Sequence, residues 1–108
     1  MDNTGHEQVT ALIEVKISPQ QGDGYDRIAQ RIYQYDEVDS LYLMTGSYDL
    51  LVVMTVKTMN DAAVFVYENL AAIEGVTSTA TRFVMKKYKE QGNVLVERPE
   101  QEERLIFR

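Results

Sequence analysis

Cysteine is absent from this chain, histidine occurs once, and acidic residues outnumber basic ones by 17 to 11. Without cysteine there can be no disulfide, no thiolate nucleophile and no Cys-ligated metal. The one histidine, His6, lies in the polar opening Met1-Asp2-Asn3-Thr4-Gly5-His6-Glu7-Gln8, so no histidine dyad can be assembled from patterned elements. The net charge of −6 weighs against nucleic-acid binding, because a phosphate backbone is gripped by clustered Lys and Arg. The one basic cluster, Lys86-Lys87-Lys89, is short and runs into Glu90. No apolar run approaches the roughly 18 residues of a membrane span. The opening residues carry neither the basic nor the apolar region of a secretion signal. These absences predict a cytoplasmic protein with no membrane segment and no direct contact with DNA.

Catalytic and cofactor machinery is equally sparse. Gly22-Asp23-Gly24 precedes a helical pattern but lacks the lysine of a phosphate loop and puts a carboxylate where a phosphate would sit. A metal site would have to be built from carboxylates alone. Asp36-Glu37-Asp39 and Glu97…Glu100-Gln101-Glu102-Glu103 read more simply as solvated loops. The expectation is therefore a protein that is not an enzyme and has no metal, no cofactor and no catalytic residue.

What is present is an ordinary single domain: 108 residues, 44% hydrophobic and 26% charged, enough for a thin core. Val9, Ala11, Ile13, Val15 and Ile17 alternate with polar residues, which predicts a half-buried strand ended by Ser18-Pro19. Tyr25, Ile28, Ala29 and Ile32 then fall at helical spacing, with Asp23 as N-cap. Gly46-Ser47 predicts a two-residue hairpin turn between strands at 38–45 and 48–57. Thr58-Met59-Asn60-Asp61 opens a second helix with Ala63, Val66, Tyr67, Leu70 and Ile73 as its buried stripe and Gly75 just past its end. A Thr-rich strand follows, from Val76 to about Tyr88. Two short strand-like pieces, 93–97 and 104–107, complete the chain.

The order βαββαβ predicts a ferredoxin-like α+β sandwich, with a four-stranded antiparallel sheet and both helices on one face. Residues 1–8 form an arm, 9–90 the domain, and 91–108 a C-terminal tail expected to pair with a partner subunit. In the third strand Leu50, Val52, Met54 and Val56 share the helix-covered face. Asp49, Leu51, Val53 and Thr55 then point away from the helices, and Leu12, Tyr42 and Met44 are candidates to join them. An apolar face of this kind marks an association site. Leu51, Val53 and Tyr42, with Leu105 and Phe107 of the tail, are its expected interface residues.

Asp49 is the one charge in the apolar hairpin, and an aspartate is a poor strand former. A free amino acid needs an anion for its ammonium, donors for its carboxylate and an apolar wall. Asp49, the amides around Gly46, Ser47 and Tyr48, and the hydroxyls of Thr79 and Thr81 contain these ingredients. The bland alternatives are a turn anchor for Asp49 and simple strand propensity for the threonines.

The stretch Leu43-Met44-Thr45-Gly46-Ser47-Tyr48-Asp49-Leu50-Leu51 resembles the Gly-x-(aromatic)-Asp hairpin of the leucine-responsive (Lrp/AsnC) regulators' effector-sensing RAM domain. Gly75-Val76…Thr79-Ala80-Thr81…Val84-Met85-Lys86 is similar to that family's fourth strand, and Glu103-Arg104-Leu105-Ile106 to its C-termini. The resemblance implies a dimeric α+β barrel built by sheet-to-sheet packing, further assembly into octamers or similar rings, and an amino-acid effector bound between dimers. It implies effector roles for Gly46, Tyr48 and Asp49, with Thr79 and Thr81 facing the same ligand. Arg82 departs from the aromatic or apolar residue common at its position. Only eight residues precede the first strand, too few for a helix-turn-helix. The expectation is a stand-alone sensing module that acts on transcription indirectly, by co-assembling with full-length relatives. A small dimeric α+β-barrel enzyme acting on a hydrophobic or aromatic compound, or a pure assembly module, are the competing readings.

Overall fold

A computed structural model of the chain describes residues 8–18 and 24–97. Its elements are β1 (Val9–Ile17), α1 (Gly24–Tyr33), β2 (Val38–Leu43), β3 (Leu50–Val56), α2 (Met59–Phe65), β4 (Val76–Phe83), β5 (Lys89–Glu90) and β6 (Asn93–Val94). The first four strands form one antiparallel sheet in the order β2-β3-β1-β4. This is the expected ferredoxin-like fold. β1 and β3 are its two central strands, which is why their inward residues are the most apolar in the chain.

Alternation sorts the sheet into two faces. Ala11, Ile13 and Val15 of β1 lie opposite Met54, Val52 and Leu50 of β3, and all six are essentially inaccessible to water. Ile28 and Ile32 of α1 and Ala62, Phe65, Val66, Leu70 and Ile73 from the α2 side close this core. Every buried side chain among the described residues is apolar. The Tyr35 and Phe65 rings meet edge to face, centroids 5.1 Å apart, and tie the end of α1 to α2.

Several local expectations are corrected. Tyr25 stays exposed on α1, where Gly24 is buried with Ile28 and Ile32. Asp23 lies outside the described residues. In α2, Thr58 is the N-cap, its hydroxyl accepting from the Asp61 amide at 3.0 Å. The buried stripe, however, is Ala62, Phe65, Val66, Leu70 and Ile73, while Ala63 is exposed and Tyr67 is 80% exposed. The cause is that this helix is apolar on two sides, so periodicity alone cannot choose between them. Past Phe65 the helix widens into a π turn over Val66–Leu70, a departure from 3.6-residue spacing that no residue pattern announces.

The hairpin is also longer than expected. β2 ends at Leu43 and β3 begins at Leu50, so six residues connect them. The Met44 amide donates to the Asp49 carbonyl at 2.8 Å and closes the loop. Gly46 has φ +116°, a conformation that L side chains avoid and glycine adopts without strain. β4 ends at Phe83, and Lys89–Glu90 and Asn93–Val94 form a separate hairpin turned by Gln91 (φ 50°) and Gly92 (φ 85°). Both positive φ values fit a type I′ turn. That hairpin straddles the boundary expected between residues 90 and 91. Residues 1–7 and 98–108, including Leu105 and Phe107, lie outside the described residues.

Candidate functional site

The loop between β2 and β3 is held by Asp49. Its amide donates to the Val15 carbonyl at 2.9 Å and its carbonyl accepts from Met44. Its carboxylate Oδ2 accepts from the Ile17 amide at 2.8 Å. That last bond has a structural reason. β3 begins at Leu50, opposite Val15, so the Ile17 N–H lies beyond the reach of the β3 ladder and needs another acceptor. Asp49 supplies it. The carboxylate is thus a turn anchor through one oxygen, the role that strand alternation argues against, and its second oxygen accepts no hydrogen bond from the described residues.

Around this anchor three segments converge at one end of the sheet. The Ser18 amide donates to the Gly75 carbonyl at 2.8 Å, and the Thr77 hydroxyl donates to the Lys16 carbonyl at 3.2 Å. The register of β1 against β4 slips between Lys16 and Ile17, which places Thr77 at the irregularity. Gly46 and Ser47 are exposed at the loop tip, whereas Tyr48 and Asp49 are half-buried.

Thr79 and Thr81 fall on the other side of the sheet from the open face. They lie opposite Val15 and Ile13, whose side chains point into the helix-covered core. Thr79 shares a row with Val15 and Leu50, two strand spacings (about 10 Å) from the loop. The threonines and the loop therefore occupy the same end of the sheet, but not one continuous surface of this protomer.

The open face carries three of the five expected interface residues, Tyr42, Leu51 and Val53. Leu51 lies opposite Glu14 and Tyr42, and Val53 opposite Leu12 and Ser40. Tyr42 is 52% exposed, and Leu12, Leu51 and Val53 are half-buried. Met44 belongs to the loop and not to a strand. Among these apolar groups sits an ion pair that the sequence reading missed: Arg82 Nε donates to Glu14 Oε2 at 2.9 Å. This hydrogen bond, and then the Glu14 charge, raises the Arg82 guanidinium above its ordinary value; the Tyr48 phenol adds a smaller interaction of the same sign. The signal was available. Glu14 and Arg82 are oppositely charged residues at outward positions of two strands that must be neighbours in a βαββαβ sheet.

A profile of the Lrp/AsnC ligand binding domain matches residues 10–94. The chain is 51% identical over 90 residues to the HTH-type transcriptional regulator YugG of Bacillus subtilis, covering 83% of this chain and 54% of that protein. It spans about half the length of the curated relatives it matches. Among solved structures it is similar to the transcriptional regulator NMB0573 of Neisseria meningitidis in complex with L-Met. There the TM-score is 0.71 at 28% identity, over 81% of this chain and 56% of that one. TTHA0845 from Thermus thermophilus shares the fold with a TM-score of 0.67 at 23% identity, over 76% of this chain and 99% of that one.

Proposed function

The chain belongs to the Lrp/AsnC family through its ligand-binding domain, and from that premise we propose that it senses a small amino acid at the 44–49 loop. The observation that carries the reading is the state of Asp49. It is a half-buried residue, fixed by two backbone hydrogen bonds and one to its carboxylate, with one carboxylate oxygen engaged and the other accepting from no donor among the described residues. A fixed anion with a spare acceptor beside exposed loop amides fits an α-ammonium and α-carboxylate. The similar Neisseria regulator was solved with L-Met, which makes unbranched apolar amino acids the first ligands to test.

The apolar wall comes from a second subunit in this reading. Leu12, Leu51, Val53 and Tyr42 form a face that one protomer leaves in water, and two such faces packed together remove it. The loop lies at the rim of that face, so a ligand there touches both the loop and a neighbouring copy. Binding then shifts the association equilibrium, because a ligand stabilises the assembly that completes its site. Thr79 and Thr81, being on the other surface, meet such a ligand only if another subunit packs at that end of the sheet. The output is proposed to be indirect control of transcription, through assembly with longer relatives that carry a DNA-binding domain.

Thermal-shift screening against the common amino acids, combined with light scattering, tests this. A ligand at a hundred times its Kd adds about 2.7 kcal/mol to stability, an easily measured rise in melting temperature. A selective rise with a change in assembly size supports sensing. Constant association with no shift assigns the chain to assembly alone, and a shift only with hydrophobic or aromatic non-amino-acid compounds favours the enzyme reading.

A further inference from the structure

The Glu14–Arg82 ion pair sits among apolar neighbours on the open face. Glu14 lies between Leu51 of β3 and Ala80 of β4, and Arg82 lies opposite Leu12. The Glu14 side chain is 22% exposed and that of Arg82 66%, so the carboxylate is already largely desolvated while the guanidinium still faces water. Their bond joins Nε to Oε2. The two terminal nitrogens of the guanidinium and Glu14 Oε1 make no hydrogen bond with the described residues. Each donor that is buried without an acceptor carries a desolvation penalty, so a surface that covers Arg82 must bring acceptors of its own. The charge of the whole face points the same way. Glu14 and Lys16 are the charged outward residues of β1 and Arg82 that of β4, while the Asp39 carboxylate reaches the face from β2 by accepting from the Thr55 hydroxyl at 2.7 Å. Two acids and two bases cancel there, in a chain whose net charge is −6. Two copies of the chain repel each other over much of their surface, but not at this face.

We propose that Glu14 and Arg82 determine which partner the open face accepts: a second copy of this chain, whose own Glu14 and Arg82 complete a ring of four alternating charges across the interface. The inference rests on the sheet-to-sheet association proposed above and adds the residues that select the partner. In a two-fold interface residue i meets j and j meets i. A dyad that passes between Glu14 and Arg82 sets each Glu14 Oε1 against the terminal nitrogens of the other copy's Arg82, and both spare groups gain a partner at once. The pair is a poor source of affinity, since desolvating two charges offsets much of their attraction. Its effect is selective. A covering face with an uncharged residue at either position leaves one buried charge without its counterpart, and a face of like sign repels. A longer relative can share this surface only by presenting an acid and a base at the matching positions. Amino-acid binding plays no part in this inference, since no loop side chain enters it.

Charge reversal in the full chain tests this. Glu14→Arg gives a face with two guanidinium groups, and Arg82→Glu one with two carboxylates. Each variant should keep the circular dichroism spectrum of the original chain and self-associate at least roughly tenfold more weakly by sedimentation, because like charges then meet across the dyad. Mixed in equal amounts, the two variants should form a heterodimer, identified by native mass spectrometry, at least roughly tenfold tighter than either variant with itself. The like charges within each copy persist in the mixture, so the recovery reads only the contacts across the interface. Folded variants that show no recovery on mixing would confine the pair to its own protomer, and single variants that associate as tightly as the original chain would place it outside the interface. Either result overturns the proposal while sheet-to-sheet association stands. An original chain that stays monomeric at every concentration would instead overturn the association itself, and this inference with it.

Discussion

Replacing Gly75 by alanine should destabilise the fold by two separable amounts. Gly75 has φ +103°, and a Cβ built on it would lie 2.8 Å from Ile28 Cδ1. The backbone term, holding an L residue at a φ it rarely adopts, is about 1–2 kcal/mol. The steric term is an overpacking cost of about 1–3 kcal/mol, because Ile28 is buried and 1% exposed and cannot move aside freely. The sum, about 2–5 kcal/mol, is a large share of the roughly 5–15 kcal/mol of a whole domain. Gly46→Ala is the internal control. It too has a positive φ, +116°, but no atom within 4 Å of its added Cβ, so it should cost the backbone term alone. Urea denaturation at one fixed protomer concentration gives both numbers. Ile28→Val, which removes the Cδ1 methyl, should recover most of the difference in a double-mutant cycle. Equal costs for the two glycine variants, or no coupling between positions 28 and 75, would refute the close-approach argument.

Other perturbations follow from the same structure. Thr58→Ala removes the hydroxyl that caps the Asp61 amide and should cost about 1 kcal/mol by the same denaturation assay. Asp49→Ala leaves the Ile17 amide without its acceptor and should cost about 1–3 kcal/mol, whereas Asp49→Asn keeps an acceptor oxygen and should cost less. Arg82→Ala breaks an ion pair whose arginine side chain is 66% exposed, so solvent screening should leave only a small loss of stability in a free protomer. The sign of its pH dependence is set by the raised Arg82 value. The contribution is present wherever the guanidinium is protonated and is lost only as pH rises through a folded value above the ordinary arginine range, so denaturation curves at about pH 6 and pH 9 should show the same loss. Leu51→Asp should shift the assembly toward the monomer in sedimentation, with an unchanged circular dichroism spectrum.

The sandwich was legible because β1 and β3 alternate cleanly and the two helices separate the strands in the βαββαβ order. Details failed where two patterns coexisted. In α2, Ala63 and Tyr67 fit helical spacing as well as Ala62, Phe65 and Val66 do, and packing against β1 and β3 chose the second set. Gly46-Ser47 looked like a two-residue turn because Gly46 does take a positive φ. The loop is longer because Asp49 spends its backbone and side chain tying down the end of β1, a tertiary demand invisible in local sequence. For the candidate site, alternation located Leu51, Val53 and Tyr42 on the open face. It could not reveal that the neighbours of β4 put Thr79 and Thr81 on the other surface, because that depends on register across β1. The Asp49-to-Ile17 bond, joining residues 32 apart, had no sequence signature at all.

The most direct measurement is a calorimetric titration of the chain and of Asp49→Asn with methionine and the other amino acids that raise its melting temperature. Asparagine can still accept from the Ile17 amide but carries no charge for an ammonium. The sensing account predicts a folded variant with effector affinity reduced at least roughly tenfold, the scale of losing one charge-assisted hydrogen bond. A variant that binds as tightly as the original chain would leave Asp49 as an anchor alone and contradict the site.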